Sequence, residues 1–245
     1  MPVANYKVFQ WGNPVGRGVM GSRYVAVSGV AKAATDAMPM AVVNELICAD
    51  LARAVKLPVP PSFLVHNGDG TPYHVSLNFY LAGEDLPPAD AGAVVADLPA
   101  FAAGIVLFDA WVCNEDRHPS NLAYDRPSRR VTLFDHSHSF LTGDWPQRLE
   151  RVKSELAIGN HCIARELTRV DGFSAWHKRI MAVPEFYIKE AVAQAVGIGP
   201  MDAHVAAFAA GYLLDRRDRL LDLVDAHRAV FPKINEAQWA ALKGD

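Results

Sequence analysis

The sequence predicts an α+β chain of two lobes, a small one rich in antiparallel strands and a larger one that is mostly helical. Three observations carry that expectation. The apolar stretches of the first 80 residues are short and strand-like, the segment from Leu81 to Pro99 turns to Gly, Pro, Asp and Ala, and helical periodicity dominates from Phe101 onward. The expected division gives residues 1–85 to the first lobe and 86–245 to the second, with the connection near residues 80–90. A chain of 245 residues is long enough for two such lobes around a cleft.

In order along the chain, YKVFQW reads as a strand and Tyr24 to Val27 as the next. A helix should start near Pro39, which suits a first helical position. It carries Val42, Val43, Leu46, Ile47 and Leu51 at helical spacing and stops at Leu57-Pro58. FLVH and YHVSLNFY flank the turn-forming Asn67-Gly68-Asp69-Gly70 and read as a strand pair. Beyond the connection, Phe101 to Cys113 reads as a buried helix, and amphipathic stretches follow Trp145, one of them over Val205 to Arg228. The exception among these helices is NLAYDRPSRRVTLFD, Asn121 to Asp135, two apolar stretches around a polar Arg126-Pro127-Ser128-Arg129 turn. A hairpin turning at Ser128 would set Asn121 opposite Asp135, because 121 and 135 average to 128.

Composition excludes several classes. Hydrophobic residues are 51% and charged residues 21%, an ordinary globular balance. The formal charge of −3 and the lack of a Lys/Arg run argue against direct nucleic-acid binding. The most apolar run, Phe101 to Phe108, is far short of the roughly 18 to 20 residues that span a bilayer. The N-terminus lacks a charged stretch followed by an apolar core, so a cytoplasmic protein without membrane association is expected. Cys48, Cys113 and Cys162 form no CxxC pair and are expected to be reduced and structural.

The residues that carry chemistry lie in and around the hairpin. Asn121 and Asp135 offer hard oxygen ligands of the kind that hold Mg²⁺ against phosphate oxygens. Asp116, in NEDRHPSN, can orient or deprotonate an attacking hydroxyl as a catalytic base. Asp-x4-Asn followed after a short hairpin by a second Asp is the order in which protein kinases arrange these roles. His118 is a candidate to bind or neutralise a transferred phosphoryl group. In the first lobe, Gly16, Gly18 and Gly21 match GxGxxG, but SRYVAV follows and reads as a strand. A dinucleotide-binding fold, which needs a helix there, is thereby disfavoured, and a phosphate-covering loop between strands is expected. Lys32 after that strand and Glu45 on the helix are placed to form an ion pair that anchors ATP phosphates; Lys7 precedes the glycines and is the poorer choice.

These segments resemble a known family. NEDRHPSN with LFDHSHSF is similar to the DRHxxN and IDxGH signatures of the phosphatidylinositol 3- and 4-kinase superfamily, and most closely to HipA-like kinases. FDAWVCNEDRHPSN, Asn44-Glu45 and Leu57-Pro58-Val59-Pro60 extend the likeness over roughly residues 16 to 140. The resemblance implies a bilobal protein-kinase-like fold and an ATP- and Mg²⁺-dependent serine/threonine kinase. Asp116 would be the base, Asn121 and Asp135 the metal ligands, and Lys32 with Glu45 the nucleotide-anchoring pair. It also implies a protein acceptor and an antitoxin-type protein partner. Some members autophosphorylate a serine in the glycine-rich loop, and Ser22 is the place to look for it here. Ser137 departs from the Asp-x-Gly pattern of the metal-binding motif. Other readings are a small-molecule or lipid kinase, a non-catalytic nucleotide-binding module, and a metal-dependent hydrolase built on His118, Asp135, His136 and His138.

Overall fold

The computed structural model describes residues 6, 8–16, 21–79 and 88–242. Its first part holds β1 (Val8–Pro14), β2 (Arg23–Val27), β3 (Gly29–Ala33), α1 (Ala41–Ala54), β4 (Ser62–His66) and β5 (Pro72–Leu77). The second holds α2 (Ala91–Asp97), α3 (Pro99–Trp111), β6 (Leu122–Asp125), β7 (Arg130–Leu133) and then α4 (Trp145–Val152), α5 (Asp171–Met181), α6 (Glu185–Ala193), α7 (Ala203–Asp218), α8 (Leu220–Ala226) and α9 (Glu236–Leu242). This is the expected α+β plan. Among the described residues, no helix is long and apolar enough to cross a membrane.

Three elements differ from the sequence reading. Lys32 does not follow a strand but lies within one, β3, which Ser28 alone separates from β2. A Gly-Val-Ala run is too short and mild to announce itself as a strand. Part of the Leu81 to Pro99 segment is helical: Asp90 caps α2, its carboxylate accepting from the Ala93 amide at 3.1 Å. The stretch over Val205 to Arg228 is two helices, α7 and α8, broken at Arg219.

The sheets are small. β3, β5 and β4 form one antiparallel sheet in that order, while β1 and β2 pair only with each other and leave both faces of their hairpin largely exposed. In the larger sheet, alternation puts two rows on one face: Val30, Ser76 and Ser62, then Lys32, His74 and Leu64. α1 lies near this sheet and is buried almost all round, as is α3 from Ala102 to Trp111. Close packing of α3 on α5 depends on glycine, since a Cβ at Gly104 would fall 2.2 Å from the Trp176 ring.

The β6–β7 hairpin forms, with a register one residue away from expectation. Leu122 pairs with Leu133 and Asp125 with Arg130, so the turn is centred between Pro127 and Ser128. Asn121 therefore faces Phe134, whose amide donates to the Asn121 carbonyl at 3.3 Å, and not Asp135. Asp135 lies one residue further and has a left-handed backbone, φ 62°. Asp tolerates this region better than most residues. That turn ends the strand alternation, and the Asp135 and Asn121 side chains line the same cavity despite the shifted register.

Candidate active site

The site is built on a buried guanidinium. Arg117, fully buried, donates through Nε to Asp109 Oδ2 at 2.7 Å and through Nη2 to Asp109 Oδ1 at 3.1 Å. Its Nη1 reaches the carbonyls of Asn121 and Phe134, each at 2.7 Å, and Nη2 meets His136 Nε2 at 2.9 Å. One side chain thus ties the end of α3 to both strands of the hairpin. Asp109 also accepts from Asn114 Nδ2 at 3.0 Å and from His161 Nε2 at 3.1 Å. His161 Nδ1 accepts the amides of Ile163 and Ala164, which fixes the Nε2–H tautomer and hence the donation to Asp109. Burial works against the Asp109 charge, but Arg117 and His161 hold its carboxyl well below the usual range.

On that base Lys32 Nζ bridges two carboxylates, Glu45 Oε1 at 2.7 Å and Asp135 Oδ1 at 2.8 Å. Burial lowers the lysine pKa, yet Glu45 and Asp135 outweigh it and keep the ammonium charged. Asp135 is likewise held below the ordinary carboxylate range, against burial, by Lys32 and by the Ser137 hydroxyl, which donates to Oδ1 at 2.6 Å. The serine that departs from Asp-x-Gly therefore anchors the aspartate next to it. Glu45 is only 3% exposed and accepts the His136 amide through Oε2 at 3.1 Å. Its neighbour Asn44 donates to the Ser137 and Leu141 carbonyls and accepts the Leu141 amide, so both residues of the Asn-Glu pair on α1 clamp the loop after β7.

Lys32, Glu45, Asn121 and Asp135 line a cavity of about 280 Å³ between the three-stranded sheet, α1 and the hairpin. Asp116 lines a neighbouring cavity of about 320 Å³, with Glu115, Ser137, His138 and Arg148. The loop from Asp135 to His138 borders both cavities. Asn121 Nδ2 donates to the Asp116 carbonyl at 2.8 Å, which ties the two aspartate-bearing regions together and turns the amide oxygen away from that carbonyl. Asn121 and Asp135 are the residues here that could offer hard oxygen donors to a divalent cation. His118 is half exposed, with Nε2 at 3.8 Å from Asp116 Oδ2, and His138 Nε2 is 3.9 Å from the same oxygen.

Two sequence expectations do not meet here. Gly16 and Gly21 are exposed on the β1–β2 hairpin, both with positive φ, and neither lines the cavity; Gly18, like Lys7, lies outside the described residues. The four residues of the histidine-metal reading do not converge. His136 is buried against Arg117 and neutral, its pKa pushed down to about 4 by burial and by that guanidinium, and its Nε2 accepts from Arg117. Among the described residues no group of three or more His, Cys, Asp or Glu is arranged to hold a metal. Asp109, Arg117 and Asn44 sit inside the quoted motifs but were not among the expected site residues, because their work is on backbone and buried partners. His161 and His74 carried no sequence signal at all.

The architecture is that of HipA-like kinases. It matches the Helicobacter pylori proinflammatory kinase CtkA with a TM-score of 0.57 at 13% identity, covering 91% of this chain and 96% of that one. It also matches the Shewanella oneidensis structure of the toxin–antitoxin system HipA, HipB and its operator DNA, with a TM-score of 0.50 at 15% identity, covering 85% of this chain and 62% of that one. No protein-family model and no curated protein matches the sequence.

Proposed function

We propose that the protein is an ATP- and Mg²⁺-dependent phosphotransferase that passes the γ-phosphoryl group of ATP to a serine or threonine hydroxyl of a protein. The observation that carries this reading is the Lys32 ammonium held between Glu45 and Asp135 in a cavity shared with Asn121, within a kinase-like fold. Phosphate oxygens entering that cavity would compete with Asp135 for Lys32, while Glu45 keeps the ammonium in position. Asn121 and Asp135 would hold Mg²⁺, which when bound supplies charge neutralisation on the phosphate oxygens. Asp116, facing the second cavity, would accept the proton of the acceptor hydroxyl, and His118 beside it would offset charge as the phosphoryl group passes.

Ser22 is exposed next to the glycine-rich loop, which suits it as a site of self-modification. An antitoxin-type protein partner is proposed by likeness to HipA, whose structure includes HipB and operator DNA. The reading is tested by following label from γ-labelled ATP in wild-type protein beside Asp116→Ala and Asp135→Ala, with peptide mapping of any labelled Ser22. Transfer that Asp116→Ala reduces by about 100-fold or more, the usual weight of a general base, and that Asp135→Ala also reduces, supports it. Labelling that survives both, or no magnesium-dependent ATP binding by calorimetry, would overturn it.

A further inference from the structure

The face of the three-stranded sheet that lines the nucleotide cavity is unexpectedly polar. A sheet face covered only by a helix is normally apolar, because nothing there can hydrogen-bond the side chains. Here Lys32, His74, Ser62 and Ser76 all line the cavity, with Val30 among them. His74 stands out. As the cross-strand partner of Lys32 on β5, it shares its face and lies within contact range of the lysine stem. It is 5% exposed, and its Nε2 is buried without a hydrogen-bond partner. Burial and the positive charges of Lys32 and Arg53 push its pKa down to about 4, so at neutral pH the ring is an uncharged imidazole with one donor and one acceptor.

A buried, unpaired nitrogen destabilises the protein that contains it, and an apolar residue of similar size would remove that penalty. Resting on the nucleotide-cleft reading, we propose that His74 is a specificity-determining residue of the cavity, hydrogen-bonding the bound nucleoside triphosphate directly or through one water. Ser62 and Ser76, in the adjoining row, extend the same polar wall. Nε2 thus lacks a protein partner in the free protein and gains a partner in the complex. Its contribution belongs to binding and not to folding.

The test combines calorimetric titration with Mg·ATP and thermal melting of the nucleotide-free protein for wild type, His74→Leu and His74→Asn. His74→Leu should melt at or above the wild-type temperature without nucleotide and bind Mg·ATP about tenfold more weakly, the weight of one hydrogen bond. His74→Asn, which keeps a donor and an acceptor, should recover most of that affinity. Wild-type affinity in both variants would overturn the inference and leave the cleft reading intact. Equal weakening in both, with a lowered melting temperature in each, would make His74 a packing residue and overturn it too. A wild-type protein that takes up no Mg·ATP would instead remove the cleft reading on which the inference stands.

Discussion

Arg117 shows how much of the site depends on one buried side chain that touches no reacting atom. Its charge is balanced by Asp109 within a fully buried pair, and its remaining donors hold the carbonyls of Asn121 and Phe134 and the His136 ring. A buried ion pair adds little over an apolar pair, but breaking one by removing a single partner is severe, because the other charge stays buried. Arg117→Met should therefore lower stability by about 3 to 5 kcal/mol in urea unfolding. A loss below about 1 kcal/mol, the level of a surface pair, would mean that water or His161 replaces the guanidinium. Lys32 differs in kind. It is partly exposed and bridges two carboxylates that a ligand can rearrange, so under the proposed function its substitution should weaken Mg·ATP binding in calorimetry more than it lowers the melting temperature.

Among the elements, α3 and α5 fix the larger lobe by an approach that glycine alone permits. Gly104 lies beneath Trp176, whose indole donates to the Ala100 carbonyl at 2.5 Å, and a Cβ at Gly172 would fall 2.6 Å from that of Ala103. Gly104→Ala improves helix propensity but drives a methyl into the ring, and overpacking of this kind costs about 1 to 3 kcal/mol against less than about 1 gained. The melting temperature should fall; an unchanged or raised value would show that Trp176 swings clear. α7 contributes a different device. Buried Arg216 donates to the carbonyls of Ala110, Val152 and Leu156, so its charge meets the carbonyl ends of α3 and α4 instead of a carboxylate. The β1–β2 hairpin is the opposite case, with Phe9, Trp11 and Tyr24 each more than half exposed.

Across the whole molecule, three buried histidines set the acid side of stability. His74 and His136 are pushed down to about 4 from 6.5, first by burial, and His161 is lowered as well, burial outweighing the pull of Asp109. A group whose folded pKa is depressed binds more protons when unfolded, so stability rises with pH between the two values and is lost on acidification. Stability should thus decline as pH falls from about 6.5 towards 4, at about 1.4 kcal/mol per pH unit for each histidine that stays neutral. Asp109 and Asp135, also depressed, add their losses only below the ordinary carboxylate range, at still lower pH. Urea midpoints between pH 7.5 and 4.5 check this, and a flat profile would show that the rings gain solvent or partners when protonated.

The sequence by itself determined the α+β order, the buried helix before the hairpin and four of the residues that line the larger cleft, Lys32, Glu45, Asn121 and Asp135. Those features rest on local periodicity, turn chemistry and spacing within one short segment, which any chain carries in its own order. Asp116, Asn121 and Asp135 fall within 20 residues, and Lys32 and Glu45 are close enough in sequence for a strand and a helix to bring together. Only the tertiary structure decided the hairpin register, because the one-residue shift is absorbed by the left-handed backbone of Asp135 and not by its side chain. It also decided that Arg117 faces inward while His118, next to it, faces solvent, and that His74 is enclosed without a partner. Partners such as Asp109 and His161 are 52 residues apart, and a contact at that separation is fixed by packing of whole elements, which spacing along the chain does not encode.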